Sequence, residues 1–226
     1  MREDPGVGRS GWLAVVPIKP LPAAKSRLRG AVAGVPHERL VLAMAKDTVA
    51  ATLACGRVDR VVVVTDDPLA GAALAASGAA WVRDLPRAGL NAAFAHGVRA
   101  AIADRARRAA RGRVRGVAAL AADLPAVRPA ELAAALDAAS SAGGRAYVAD
   151  ASGTGTVLLT APWGRDLDPR FGPGSSAAHA RSGATPLSGD WPGLRRDVDT
   201  PADLLAAVAL GVGPYTSELL PAAQYG

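Results

Sequence analysis

Asp123 closes a run of small apolar residues, Val117-Ala118-Ala119-Leu120-Ala121-Ala122, and Leu124-Pro125 follows it. The run does not alternate and is too short for a helix, so it reads as a buried central strand. Pro125 cannot donate to a sheet ladder, which stops the strand near Asp123. Ligands of open α/β sheets sit beyond the carboxyl ends of the strands, where a carboxylate can hold a divalent metal under a nucleotide phosphate. An aspartate in this place can equally cap a helix or close a turn. Asp197, in Leu194-Arg195-Arg196-Asp197-Val198-Asp199-Thr200-Pro201, reads as the end of a second strand. Magnesium takes hard oxygen ligands and needs only one or two carboxylates besides water and phosphate oxygens, so Asp123 and Asp197 at one rim match a Mg2+ site. Asp199 or Thr200 before Pro201 looks like a helix cap, which makes Asp197 rather than Asp199 the expected ligand.

Cations gather behind the first strand: Lys19, Lys25 and Arg27. A nucleoside triphosphate needs positive charge where the leaving pyrophosphate develops its own. No GxxxxGK[ST] loop is present, so this is not a Walker A site. The same three residues could be ordinary surface cations of a loop. Two glycine turns come later, Gly153-Thr154-Gly155-Thr156 and Gly172-Pro173-Gly174-Ser175-Ser176. Glycines let backbone approach a ligand, and a helix opening at Ser175 offers free N–H groups to an anion. Each turn alone could be merely a tight turn; the pair, with Arg170 between them, reads as a pocket for a small anion. His37 borders a helix, His96 and His179 sit on helices in structural roles, and Cys55 has no partner motif and no role.

The elements that must hold these residues follow from pattern and punctuation. Trp12 to Pro17 is the first strand. A helix runs from His37 to about Ala54, where apolar residues recur at helical spacing and Gly56 stops it. Val58 to Thr65 is a strand. Asp66 or Asp67 caps a helix opened by Pro68, which runs to Ser77. Ala79 to Val82 is a short strand, and Leu90 to about Arg108 a helix. After the central strand come a helix over 129–139, a strand over Ala146 to Ala149, and an apolar strand over Val157 to Thr160. A last helix spans Pro201 to Leu210. Strand and helix alternating at this spacing predict a mostly parallel sheet with helices on both faces. Residues 1–11 are expected to be a flexible leader, 12–214 a single domain, and 215–226 a C-terminal tail.

The chain has 226 residues, half of them apolar, and one cysteine, which suits a packed α/β domain in a reducing cytoplasm. The apolar stretch near the start is too short to span a bilayer, so no membrane partner is expected. The formal charge of +6 could suit nucleic acid, but aromatic platforms for stacking bases are scarce, so no nucleic-acid partner is expected. The arginines from Arg105 to Arg115 read as a solvated helix end. A positive surface also draws in multiply charged phosphate compounds.

Several motifs, in order along nearly the whole chain, resemble the guanylyltransferases of coenzyme F420 biosynthesis, which act on phosphoenolpyruvate or 2-phospho-L-lactate. They are Val16-Pro17-Ile18-Lys19-Pro20-Leu21 with Ala24-Lys25-Ser26-Arg27-Leu28; Val63-Val64-Thr65-Asp66; Gly89-Leu90-Asn91; Ala122-Asp123-Leu124-Pro125; Gly153-Thr154-Gly155-Thr156; Pro169 to Ser175; and Arg196-Asp197-Val198-Asp199-Thr200-Pro201. The resemblance implies an α/β nucleotidyltransferase-like (GT-A/Rossmann-like) fold and transfer of GMP from GTP to a phosphorylated three-carbon acid. It implies Mg2+ on Asp123 and Asp197, the acid at Thr156, Gly172 and Ser175, and GTP near Lys19, Lys25, Arg27 and Asn91. Lys25 is expected to join the two aspartates in catalysis. Related nucleotidyltransferases carry a glycine-rich loop after the first strand; here prolines and alanines stand there, so the grip on the triphosphate falls to side-chain cations. The product would pass to the downstream transferase of the pathway.

Two other readings stay open on the residues: a nucleotidyl- or glycosyltransferase of the same fold with another acceptor, and a nucleotide-binding module without catalysis. The choice between phosphoenolpyruvate and 2-phospho-L-lactate, which carry the same charged groups, is open too.

Overall fold

A computed structural model describes residues 11–107 and 113–221. The expected leader, apart from Gly11, lies outside the described residues, as do 108–112 of the arginine-rich stretch and 222–226 of the tail. The described chain forms β1 (Gly11–Pro17), α1 (His37–Ala54), β2 (Val58–Val64), α2 (Pro68–Ala76), β3 (Ala80–Val82), α3 (Leu90–Arg107), β4 (Val114–Leu120), α4 (Pro129–Ala142), β5 (Ala146–Ala149), β6 (Thr156–Pro162), α5 (Ser175–Arg181), β7 (Thr185–Pro186), α6 (Pro192–Arg195), α7 (Pro201–Leu210) and α8 (Pro214–Ser217).

The seven strands form one sheet in the order β3-β2-β1-β4-β6-β5-β7. β1 is parallel to both β2 and β4 and buried along its whole length, as its unbroken apolar run requires. β6 alone runs against its neighbours, antiparallel to β4 and β5. The reason is local. β5 and β6 are joined by the Asp150–Gly155 turn, and a connection that short can join only antiparallel strands.

Side chains alternate between the two faces. Trp12, Ala14, Val16, Val61, Val63, Ala118 and Leu120 pack with Ala45 and Val49 of α1 and Leu132 and Leu136 of α4. Leu13, Val15, Val62, Val64, Val117 and Ala119 pack with Ala93, Phe94 and Ala101 of α3 on the other face. Gly97 lets α3 lie flush on the sheet: a Cβ there would come within 2.4 Å of Val15 and 2.6 Å of Val64. The mostly parallel sheet with helices on both faces is the architecture the alternation predicted.

Two local expectations are corrected. The central strand ends at Leu120, short of Asp123, because the chain is drawn onto α1. The buried Thr48 hydroxyl lies 3.1 Å from the Ala122 carbonyl and accepts the Leu124 N–H at 3.0 Å. The stretch before Asp197 is no strand but the short helix α6 and a loop; the loop meets its neighbour through one bond, Val198 N–H to the Asp123 carbonyl at 3.0 Å. Residues 214–220, beyond the last predicted helix, pack onto α1, where the Asp47 carboxylate caps α8 through the Tyr215 and Thr216 N–H groups at 3.0 and 2.8 Å. Among the described residues, no helix is long and apolar enough to cross a membrane.

Candidate functional site

An open cleft of about 620 Å³ lies at the carboxyl ends of β1 and β4. That is within the range of about 300–1,000 Å³ for sites that take a whole small ligand. Its lining draws on the β1 exit (Ile18, Lys19), the cation loop (Lys25, Arg27), the β4 exit (Asp123), the β5–β6 turn (Asp150, Thr154, Thr156), the turn before α5 (Gly172, Ser175) and the α6–α7 loop (Asp197, Asp199). These pieces are far apart in sequence. The parallel order of β1, β2 and β4 brings their exits to one rim.

Asp123 sits on a loop fixed at both sides of its own backbone. Thr48 holds Ala122 and Leu124, and Val198 N–H reaches the Asp123 carbonyl. Among the described residues the side chain carries one ion pair, from Oδ2 to Lys25 Nζ, while its buried Oδ1 has no hydrogen-bond partner. Leaving a buried carboxylate oxygen unmatched is costly unless a ligand completes it. Lys25 also pairs with Asp199. Burial alone would lower its pKa, but the Asp123 and Asp199 carboxylates outweigh that and hold it well above the ordinary lysine range. Lys25 reaches both from a left-handed backbone (φ 50°), uncommon for a residue with a side chain.

Asp197 is carried between two anchors. The Arg195 guanidinium donates to the Ala149 and Asp150 carbonyls at 3.2 and 3.1 Å, and Val198 is tied to Asp123. Burial, then repulsion from Asp123 and Asp150, pushes its carboxyl up to about 7, with Lys25 pulling the other way. Asp123, Asp197, Asp199 and Lys25 thus form one electrostatic cluster, with Asp150 as a neighbour that spacing did not point to. Among the described residues no three His, Cys, Asp or Glu side chains form a cage for a metal ion by themselves.

The other end of the cleft is held by a network of hydrogen bonds. Asp150 organises its turn by accepting Ser152 Oγ at 2.9 Å and the Thr154 N–H at 3.0 Å. Ser176 N–H then donates to the Thr154 carbonyl at 3.1 Å, which joins the two glycine turns expected to form one pocket. Gly174 has φ 70°, a conformation that favours glycine at the step into α5. Thr156 Oγ1 lies 2.9 Å from His179 Nδ1, and the Arg170 N–H donates to His179 Nε2 at 2.9 Å.

The structure places the sequence-derived residues unequally. Lys19, Lys25, Arg27, Asp123, Thr156, Gly172, Ser175 and Asp197 all line the cleft. Asn91 does not: its amide donates to the Phe171 carbonyl at 3.0 Å and accepts the Phe171 N–H at 2.7 Å, so it holds the Phe171 loop. The Arg170 guanidinium turns away to Asp168 at 3.1 Å, and only its backbone N–H serves the pocket wall. Thr48 was missed because a threonine inside an amphipathic helix gives no signal of what it meets across the fold.

Residues 42–182 match the model of the MobA-like NTP transferase domain. The chain is 56% identical over 209 residues to the phosphoenolpyruvate guanylyltransferase of Salinispora arenicola, covering 92% of each chain. It is 54% identical over 214 residues to the enzyme of that name from Geodermatophilus obscurus, covering 92% of this chain and 94% of that one. Among solved structures it shares its fold with a 4-diphosphocytidyl-2C-methyl-D-erythritol synthase at TM-score 0.55, 16% identity and 89% and 99% coverage of this chain and that one. A cytidylyltransferase from Leptospira borgpetersenii matches at TM-score 0.53, 12% identity and 94% and 92% coverage.

Proposed function

The chain belongs to the MobA-like NTP transferase family and, within it, to the phosphoenolpyruvate guanylyltransferases; from that premise we propose that it transfers GMP from GTP to phosphoenolpyruvate, releasing pyrophosphate. The observation that carries this reading is the meeting of Asp123, Asp197 and Lys25 at one end of a cleft whose other end is walled by Thr156 and the Gly172–Ser175 turn. A triphosphate suits the first end and a small phosphorylated acid the second.

In this reaction an oxygen of the acceptor's phosphate attacks the α-phosphorus of GTP. A new P–O–P bridge forms as the bond to the β-phosphate oxygen breaks, and the electron pair leaves with pyrophosphate. The acceptor's phosphate has a second pKa near 6, about that of other phosphomonoesters, so the nucleophile is already ionised at neutral pH. No general base is required, and none is assigned. Catalysis comes from alignment and charge neutralisation.

Asp123 and Asp197 are the residues we assign to Mg2+. The unmatched Oδ1 of Asp123 and the carboxylate crowding at Asp197 both fit a site that a hard cation completes. Bound there, the ion supplies neutralisation of phosphate charge. Lys25 keeps its proton throughout and offers its ammonium to the phosphate chain; Lys19 and Arg27, exposed at the cleft mouth, add to it. Thr156, Gly172 and Ser175 bind the acceptor. We place the enzyme in the cytoplasm, in coenzyme F420 biosynthesis, with its product consumed by the next transferase.

The test is pyrophosphate release from GTP and Mg2+ with each acid in turn. Release with phosphoenolpyruvate is expected. Release only with 2-phospho-L-lactate would reassign the acceptor, and silence with both would overturn the reading.

A further inference from the structure

The established family chemistry leaves His179 without a task, yet it is fully buried directly behind the acceptor wall. Its two ring nitrogens face partners of different kinds. Nε2 faces the backbone N–H of Arg170 at 2.9 Å, a group that can only donate. Nε2 must therefore accept and carry no proton. A neutral imidazole has its single proton on the other nitrogen, so Nδ1 is the N–H and points at Thr156 Oγ1, 2.9 Å away. Thr156 Oγ1 is then the acceptor of that bond. Among the described residues this is the hydroxyl's one hydrogen bond, so its own proton is left to be donated elsewhere, and Thr156 lines the cleft.

From this chain of donors and acceptors we propose that His179 is a positioning residue that makes the Thr156 hydroxyl a committed hydrogen-bond donor to the anionic acceptor. The Arg170 N–H sets the tautomer, the tautomer sets the hydroxyl, and the hydroxyl meets the acid's phosphate or carboxylate oxygen. A free threonine rotor can face an anion with its lone pairs and must reorient on binding; this one is fixed in advance. The inference rests on the reading of Thr156 as an acceptor contact given above.

The surroundings hold the ring in place and neutral. Phe171 meets it edge-on at 5.2 Å between centroids, and Tyr147 lies at 5.8 Å. Burial, then the charges of Arg145 and Arg170, opposed by Asp168, lower its pKa to about 4, which keeps imidazolium away at neutral pH. An imidazolium would also set an Nε2 proton against the Arg170 N–H.

Two measurements test the proposal. Long-range ¹H–¹⁵N correlation on the wild-type protein at neutral pH, with the histidines assigned through His37→Gln and His96→Gln, reads the tautomer directly. Protonation on Nδ1 alone is expected; a proton on Nε2 overturns the proposal even if every His179 variant misfolds. Kinetics supplies the second. A hydrogen bond to a charged group corresponds to about tenfold to a hundredfold in affinity. His179→Leu should therefore raise KM for phosphoenolpyruvate at least about tenfold while KM for GTP stays within about twofold. His179→Asn, which restores an N–H at the Nδ1 position, should recover most of that loss. Thr156→Val should match His179→Leu, and the double variant should be no worse than either. Equal shifts in both KM values, no recovery by asparagine, or losses that multiply would overturn the proposal. A wild-type enzyme inactive with both acids overturns the acceptor reading itself, whereas an active one with an Nε2-protonated His179 overturns this inference alone.

Discussion

At the Asp123 end of the cleft, carboxylates crowd the Lys25 ammonium and, among the described residues, a buried oxygen has no partner; at the Thr156 end, Thr156, His179, Asn91 and Asp150 each have hydrogen-bond partners. The first end is poorly satisfied by the chain alone, and in the proposed reaction cations and phosphates from outside complete it. The second is held by the chain's own hydrogen bonds, and on the reading of His179 above only the Thr156 hydroxyl proton is left for a ligand. The difference separates two jobs. In the proposed reaction one end exchanges partners as charge moves, and the other holds a shape. Substitutions should therefore trade stability against activity at the charged end and lose both together at the hydrogen-bonded elements.

The largest effect is expected from Asp123→Asn, which should lower turnover at least about 1,000-fold while circular dichroism stays native, since its Oδ1 contributes no hydrogen bond to the fold. Activity within tenfold of wild type would erase the contrast. Asp197→Asn should lower turnover about 100-fold and yet raise the stability of the metal-free protein above pH 7. The sign follows from linkage. A carboxyl raised from 3.8 to about 7 by folding holds a proton that the unfolded chain has lost, so its contribution is fully present below about pH 4 and disappears as pH rises through 7. Discounted for partial exposure, the gain for asparagine is about 2 kcal/mol at pH 8, read as a shift in Tm. A less stable variant at that pH would show that the charged end is not strained.

Thr48→Val sharpens the comparison from behind. It removes the hydroxyl that meets Ala122 and Leu124, leaves the buried Leu124 N–H unpaired, and should cost about 1–3 kcal/mol in chemical denaturation with about a tenfold loss of kcat. Asn91→Ala should have the smallest effect. Freed from its two bonds to Asn91, the Phe171 loop should raise KM for the acid about fivefold and leave KM for GTP nearly unmoved. A rise for GTP instead would return Asn91 to the nucleotide.

Much of this was readable from residue order. Unbroken apolar runs marked β1, β2 and β4, prolines marked the openings of α2, α4 and α7, with Asp66 or Asp67 as the α2 cap, of which the structure uses Asp67, and strand exits put Asp123 and Lys25 at one rim. What escaped has a common physical cause. The apolar run of β6 reads the same in either direction, and only the short turn before it sets its sense. β7 is two residues paired to β5, too short for any periodicity. The loop at Asp197 looked like a strand because its buried Val198 has a core residue's composition without a ladder. Thr48 and His179 act through atoms that meet them across the fold, at separations of 74 and 23 residues. The helical spacing around each residue reports only its own helix.

α3 has a consequence of its own. At Gly97 it rests directly on Val15 and Val64, while a turn or two earlier Phe94 stacks on Phe171 at 4.3 Å and Asn91 grips the same loop. The wall proposed to meet the acid is thereby keyed to the sheet through one rigid strut. On that proposal, discrimination between a flat unsaturated acid and its tetrahedral reduced counterpart becomes a matter of a fixed mould. Retuning it would call for reshaping the seat of a helix, and loosening a lid would not suffice.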